Sequence, residues 1–311
     1  MPTPPLDRRQ LLAGAAALTG AALAPAVEAK PVRPFGFMLN TATIMGQELT
    51  LTQQIDVAAK AGYDSFEPWV RDIEAFVGAG NKVEDAAKRL KDANLRVDSA
   101  IGFANWIVDD ESARKKGLEQ ARRDMDLVRR LGGLRIAAPP TGATDKAIMN
   151  LFAVADRYAE LCKVGEKAGV VPQLEVWGFS KSLSRLGETA LVVVESGRPN
   201  ACLLADVYHL HKGGSGFGGL RALSAACLQV FHMNDYPADP PRAKITDADR
   251  VYPGDGVAPL VPMLRDLHEL GFRGMLSLEL FNPTYWKQDP LVVAKTGLAK
   301  MKAVVEKALS S

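Results

Sequence analysis

Three cysteines and four histidines in 311 residues leave little material for thiol chemistry or for a histidine-rich metal cluster. Cys162, Cys202 and Cys227 are odd in number, lack metal-type spacing and lie in apolar segments. They allow one disulfide at most and fit buried free thiols better. Charge of one sign is also missing, with 38 basic against 36 acidic residues and no basic run. That balance excludes nucleic acid and anionic membrane as partners. Beyond the N-terminus no segment is long and apolar enough to span a bilayer. No Pro/Ser/Gly-rich linker divides the chain, so one large domain is expected rather than two small ones.

The exception is the N-terminus. Arg8 and Arg9 precede a small-residue apolar stretch, Leu11 to Ala24, and then the small-x-small sites Ala24-Pro25-Ala26 and Val27-Glu28-Ala29. This order is that of a cleavable signal peptide of the twin-arginine type over residues 1–29, with export to the periplasm. A buried N-terminal helix is the competing reading, but Ala and Gly would bury little area. No cysteine follows the stretch, so no membrane anchor is expected after cleavage.

Over residues 30–311, eight short apolar or β-branched segments alternate with amphipathic ones. Strands are expected near 36–42, 63–67, 95–101, 134–138, 170–176, 201–206, 228–233 and 274–280. Helical stretches such as LTQQIDVAAKAG and APLVPMLRDLHELG end in Gly at the expected C-terminus. Eight such repeats predict an α/β fold, a (β/α)8 TIM barrel in a single domain. An open doubly wound sheet is the alternative, weakened because the repeats fill the chain. GSGFGG (214–219) contains G-x-G-x-x-G but lacks the rest of a dinucleotide-binding context, and reads as a flexible loop.

Chemistry in such a barrel collects where strands end. The fifth to eighth expected strands end in LEVW, LADVYH, FHMND and LELF, offering Glu175, Asp206, His232 and Glu279. Two Glu, one Asp and one His form a mixed oxygen/nitrogen set suited to one divalent ion, Mn²⁺ first, with Mg²⁺, Co²⁺ or Zn²⁺ as alternatives. Three carboxylates sharing one mouth would repel without a cation. Singly, each residue reads as readily as a solvated strand end or a satisfied core histidine; the set favours a site.

Other residues carry two readings each. His209 reaches a substrate hydroxyl or faces solvent. Asn40, Glu67 and Trp177 line the pocket or make rim packing. His211 and His268 read as structural. The loop after His232, DYPADPPRAKITDADRVYPGDG, is long enough to be a lid. Within it Arg250 is either a charged substrate contact or half of an Arg–Asp pair with Asp247 or Asp249.

The set Glu175, Asp206-x-x-His209, His232 and Glu279 resembles the metal site of the xylose isomerase-like barrels. FHMND, DADRVYPGDG and LSLELFNPTYW are similar to the inosose (2-keto-myo-inositol) isomerase group, and the resemblance runs from about Phe37 onward. Two features depart from it: Ala238 stands where ketose 3-epimerases carry an arginine, and those inosose isomerases carry no export signal. The resemblance implies an enzyme, a metal-dependent isomerase or epimerase of an unphosphorylated keto-sugar, polyol or inosose. Glu175 and Glu279 would exchange the proton beside a ketone, through an enediolate that the ion stabilises. A lyase or dehydratase acting on a keto-sugar or 3-keto-glycoside is the alternative, and a non-catalytic sugar-binding protein is a third. A homo-oligomer stays open.

Overall fold

A computed structural model describes residues 33–310. The expected signal segment, residues 1–29, lies outside the described residues. From Pro34 onward the chain forms one unit. Its strands are β1 (Gly36–Asn40), β2 (Ser65–Glu67), β3 (Arg135–Ala138), β4 (Val171–Glu175), β5 (Cys202–Asp206), β6 (Leu228–Met233) and β7 (Met275–Leu278). They pair in the order β2-β1-β7-β6-β5-β4-β3, every pair parallel.

The remaining expected strand, 95–101, closes the ring without becoming a regular strand. It touches β2 through Ser65↔Arg96 and β3 through Ile101↔Ala137, each an isolated parallel bridge. The cause is the Ser65 hydroxyl. It accepts from the Asp98 N–H at 3.0 Å and donates to the Arg96 carbonyl at 3.2 Å, so a side chain stands in the backbone ladder. The first strand also stops short of the expected Ala42. Asn40 Oδ1 accepts from the Ala42 N–H at 2.9 Å and caps a 3₁₀ turn over Thr41–Gln47.

Helices follow the amphipathic stretches. Leu51–Ala61 starts with a Thr50/Gln53 capping box and ends where Gly62 turns left-handed at φ 90°. It buries Leu51, Ile55 and Ala58, the one-sided spacing of a helix packed on a sheet. Met38, Ile101, Ala137, Leu204, Val230 and Met275 form a separate cluster inside the barrel. Side chains alternate faces along a strand, so two residues further on the interior positions are Asn40, Phe103, Asp206, His232 and Ser277. An apolar plug thus supports a polar layer toward the strands' C-terminal ends.

The three cysteines are free, Cys162 and Cys202 buried and Cys227 half-buried. Burial raises the thiol pKa of Cys162 to about 11 and that of Cys202 to about 12, which keeps both unreactive. No helix among the described residues is long and apolar enough to cross a membrane.

Candidate metal centre

Glu175 ends β4, Asp206 ends β5, His232 lies within β6 and Glu279 follows β7 by one residue. The registers Asp206↔His232 and His232↔Ser277 set these positions at one height in the barrel. One ligand atom each from Glu175, His232 and Glu279 lies within 4.8 Å of the others. All three side chains are buried. His232 Nδ1 lies 3.1 Å from Glu279 Oε2, 3.8 Å from Asp206 Oδ2 and 4.0 Å from Glu175 Oε1.

Asp206 is the most engaged of the four. Its Oδ2 accepts from Asn234 Nδ2 at 2.8 Å and from Arg250 Nη1 at 3.0 Å, and its Oδ1 accepts from the His209 N–H at 2.7 Å.

Neither ring nitrogen of His232 makes an aligned hydrogen bond, although both are fully enclosed. An enclosed imidazole nitrogen facing three carboxylates fits a divalent cation, because buried polar atoms otherwise find partners. The donor set, oxygen-rich with one nitrogen, fits the same conclusion.

The other nitrogen, Nε2, lies 3.1 Å from Glu67 Oε2. That oxygen accepts from Ser277 Oγ at 2.6 Å and from Asn40 Nδ2 at 2.9 Å, and Asn40 Nδ2 also donates to Glu279 Oε1 at 3.0 Å. Asn40 and Glu67 therefore lie beneath the ligands, fully buried, rather than on the cavity wall. A carboxylate behind a histidine in this way fixes which nitrogen faces a metal.

Burial holds the Glu175 carboxyl well above its usual range, with Glu279 and Asp206 adding to the effect and His232 opposing it. Burial would raise Glu279 too, but His232 and Arg250 outweigh it and bring that carboxyl down to about 2. For His232 itself, burial disfavours the charged ring, while Glu279 and Glu67 favour it and prevail.

His209 is buried, and its burial lowers its pKa to about 3. Its Nε2 stands 3.2 Å from Arg250 Nη2. A guanidinium only donates, so Nε2 accepts and the proton sits on Nδ1, which is enclosed and has no partner. His209 lines the cavity.

Arg250 forms the expected Arg–Asp pair, with Asp247, and also lines the cavity. It is fully buried and pairs with Asp247 at 2.5 Å, with Asp206 at 3.0 Å and with Glu279 at 2.9 Å. Its guanidinium carbon lies 4.5 Å from the Tyr208 ring centre and 5.0 Å from that of Phe281. Asp249 instead caps Thr246, accepting from its N–H and its hydroxyl.

The long loop is tied down rather than free as a lid. Buried Asp235 accepts from the N–H groups of Tyr236, Gly254, Gly256 and Ala258 at 2.8–3.1 Å. His211 stacks on Tyr236 at 3.9 Å, and His268 meets Phe35 edge-on at 6.3 Å. Both are structural contacts away from the centre.

Above the centre opens a cavity of about 310 Å³. Trp177 lines it as expected. Trp69, Phe103, Phe179 and Phe281 line it too, and sequence reasoning missed them. A signal was present: Trp69, Trp177 and Phe281 each lie two residues past a carboxylate (Glu67, Glu175, Glu279), and Phe103 two past Ile101. One more step of the strand's two-residue repeat points each inward.

A closed parallel barrel with acidic residues and a histidine converging at its strand ends has the architecture of barrels that place their active sites at that face. The chain belongs to the xylose isomerase-like TIM barrel family, whose model matches residues 55–304. It is 28% identical over 271 residues to an inosose isomerase of Bacillus velezensis, covering 86% of this chain and 96% of that protein. It is 23% identical to a 3-dehydroshikimate dehydratase of Pseudomonas aeruginosa, covering 83% of this chain and 40% of that longer protein. Among solved structures, the IolI protein with a bound zinc atom superimposes with a TM-score of 0.82 at 24% identity, over 89% of this chain and all of that one. The chain is thus an enzyme of a family that includes sugar isomerases and epimerases.

Proposed function

We propose that this enzyme is a divalent-metal-dependent isomerase or epimerase of an unphosphorylated keto-sugar or keto-inositol. The observation that carries the reading is the convergence of Glu175, His232 and Glu279 within 4.8 Å, with Glu175 and Glu279 lining one cavity. The inosose isomerase relatives support the substrate class.

Glu175, Asp206, His232 and Glu279 would hold the ion, and Mn²⁺ is the proposed occupant of so oxygen-rich a set. Once bound, a divalent ion supplies Lewis-acid polarisation of a ketone. Glu175 and Glu279 take the proton from the carbon beside that ketone and return it to the neighbouring carbon or to the opposite face. His209, held in one tautomer by Arg250, forms part of the wall that would contact the substrate. Arg250, held by Asp247, keeps Asp206 and Glu279 in place and balances their charge. The aromatic wall keeps water from the reacting carbons.

A lyase reading also has support, from the dehydratase relatives. Both reactions begin with the same deprotonation and differ only in whether a β-substituent leaves.

The test is solvent deuterium incorporation by metal-reconstituted protein across inososes, ketoses and 3-keto-glycosides, with metal content measured in parallel. Deuterium beside the ketone together with an isomeric product is expected. An unsaturated ketone product would establish the lyase, and no exchange by metal-loaded protein across the panel would overturn both. We also propose export through the twin-arginine signal of residues 1–29. Periplasmic recovery of a chain that begins near residue 30 is the expected result.

A further inference from the structure

The cavity divides into two chemically distinct halves. Four of its polar side chains, Glu175, His209, Arg250 and Glu279, are buried at the floor, and the fifth, Asp247 on the long loop, binds Arg250. The rest is Ile101 and a belt of aromatic rings in unbroken contact. Centroid distances are 6.1 Å from Phe281 to Trp69, 4.9 Å from Trp69 to Phe103, 6.2 Å from Phe103 to Trp177 and 5.0 Å from Trp177 to Phe179.

The belt offers almost no hydrogen bonds. Phenylalanine has none to give, and the Trp69 indole N–H is spent on Asn40 Oδ1 at 3.1 Å, which leaves the Trp177 indole N–H, beside Glu175, as the belt's one donor. Among the described residues, no Ser, Thr, Asn, Gln or Lys side chain lines the cavity. A bare polyol lying there would exchange water for carbon around each hydroxyl beyond reach of the floor, and unpaired polar groups bind poorly. A flat unsaturated ring would instead meet aromatic faces and edges, in the offset and edge-on arrangements such rings prefer. At the outer end of the belt, Phe179 is 45% exposed, a large apolar ring left at the mouth of the site.

We propose that the natural substrate is a keto-sugar or keto-cyclitol that carries an aromatic substituent. The ketone-bearing ring would sit over Glu175, His232 and Glu279, and the substituent would lodge in the belt formed by Trp69, Phe103, Trp177, Phe179 and Phe281. This rests on the isomerase or lyase reading for the ketone half only.

Two matched pairs of probes separate the two ideas, titrated calorimetrically into metal-loaded full-length protein. Phenyl and methyl β-glucoside carry no ketone and report the belt alone. Phenyl and methyl 3-keto-β-glucoside add deuterium exchange as a second readout. The phenyl member is expected to bind at least tenfold more tightly in each pair, and Phe179→Ala, a change at a half-exposed position, should reduce that preference severalfold. Equal affinity within each pair overturns the proposal, whether or not the ketones exchange deuterium. A phenyl preference without exchange in either ketone supports the belt assignment and overturns the enolising reading instead.

Discussion

Replacing Glu67 with glutamine would take one negative charge from behind His232 with almost no change of shape. The carboxylate lies 3.1 Å from Nε2, and both side chains are fully buried. Two unit charges at that distance, with an effective dielectric constant of ~20, interact by roughly 5 kcal/mol. A metal-bound imidazole is neutral, and its N–H carries only a fraction of a charge. About a third of that energy, ~1.5–2 kcal/mol, is therefore the expected loss on removing the charge. This lies within the ~10–100-fold range seen when the partner of a metal-binding histidine is changed. Glutamine can keep its carbonyl oxygen toward Ser277 and Asn40, so Glu67→Gln should weaken metal binding about tenfold. Glu67→Ala removes the acceptor as well, and about a hundredfold loss is expected. The assay is chelator-competition titration with Mn²⁺ and Zn²⁺, alongside circular dichroism and melting curves to establish folding. If both variants fold normally and keep metal affinity within twofold of the parent, Glu67 does not orient His232.

Three further outcomes are expected. His232→Ala should abolish turnover and lower bound metal measured by mass spectrometry, whereas Glu279→Gln should abolish turnover; full activity and metal content in His232→Ala would falsify the assigned centre. Asp124 is buried, and burial with the nearby Glu74 charge raises its pKa from 3.8 to about 6. The folded state therefore binds its proton more tightly, and this group's stabilising contribution is lost as pH rises from about 4 to 6, by up to ~3 kcal/mol. Asp124→Asn should melt higher at pH 7 and flatten the pH dependence in that window; an unchanged slope in calorimetric melts would count against it. A Cβ at Gly178 would stand 2.2 Å from the His209 carbonyl oxygen and 2.6 Å from the Gly213 N–H nitrogen. Since backbone cannot give way cheaply, Gly178→Ala should cost ~1–3 kcal/mol in denaturant unfolding, and an unaltered midpoint would contradict the packing described.

Local rules carried much of this molecule. The capping box of Thr50 and Gln53 and the left-handed Gly62 bound one helix as its sequence pattern requires. The two-residue repeat that turns Val230 into the barrel interior also turns His232 there, and the same holds for Leu204 with Asp206 and for Met275 with Ser277. The metal candidates were therefore legible as strand-end residues, and the barrel as eight repeats. Parity fixes only which face a side chain takes, not what stands opposite it across the ring. Glu67 comes to lie behind His232 only because β2 and β6 sit across a closed barrel. Arg250, two hundred residues from β1 in sequence, meets Asp206 and Glu279 because Asp235 ties its loop to the backbone of Gly254, Gly256 and Ala258. The hydroxyl of Ser65 breaks a ladder that the apolar pattern of 95–101 predicts, since hydrogen-bond competition depends on which chain lies alongside. The sequence by itself determined which face of a strand a residue takes and where most of the strands and helices lie. Tertiary closure decided which of them meet, because distances around the ring are set by strand pairing and loop anchoring rather than by any local periodicity.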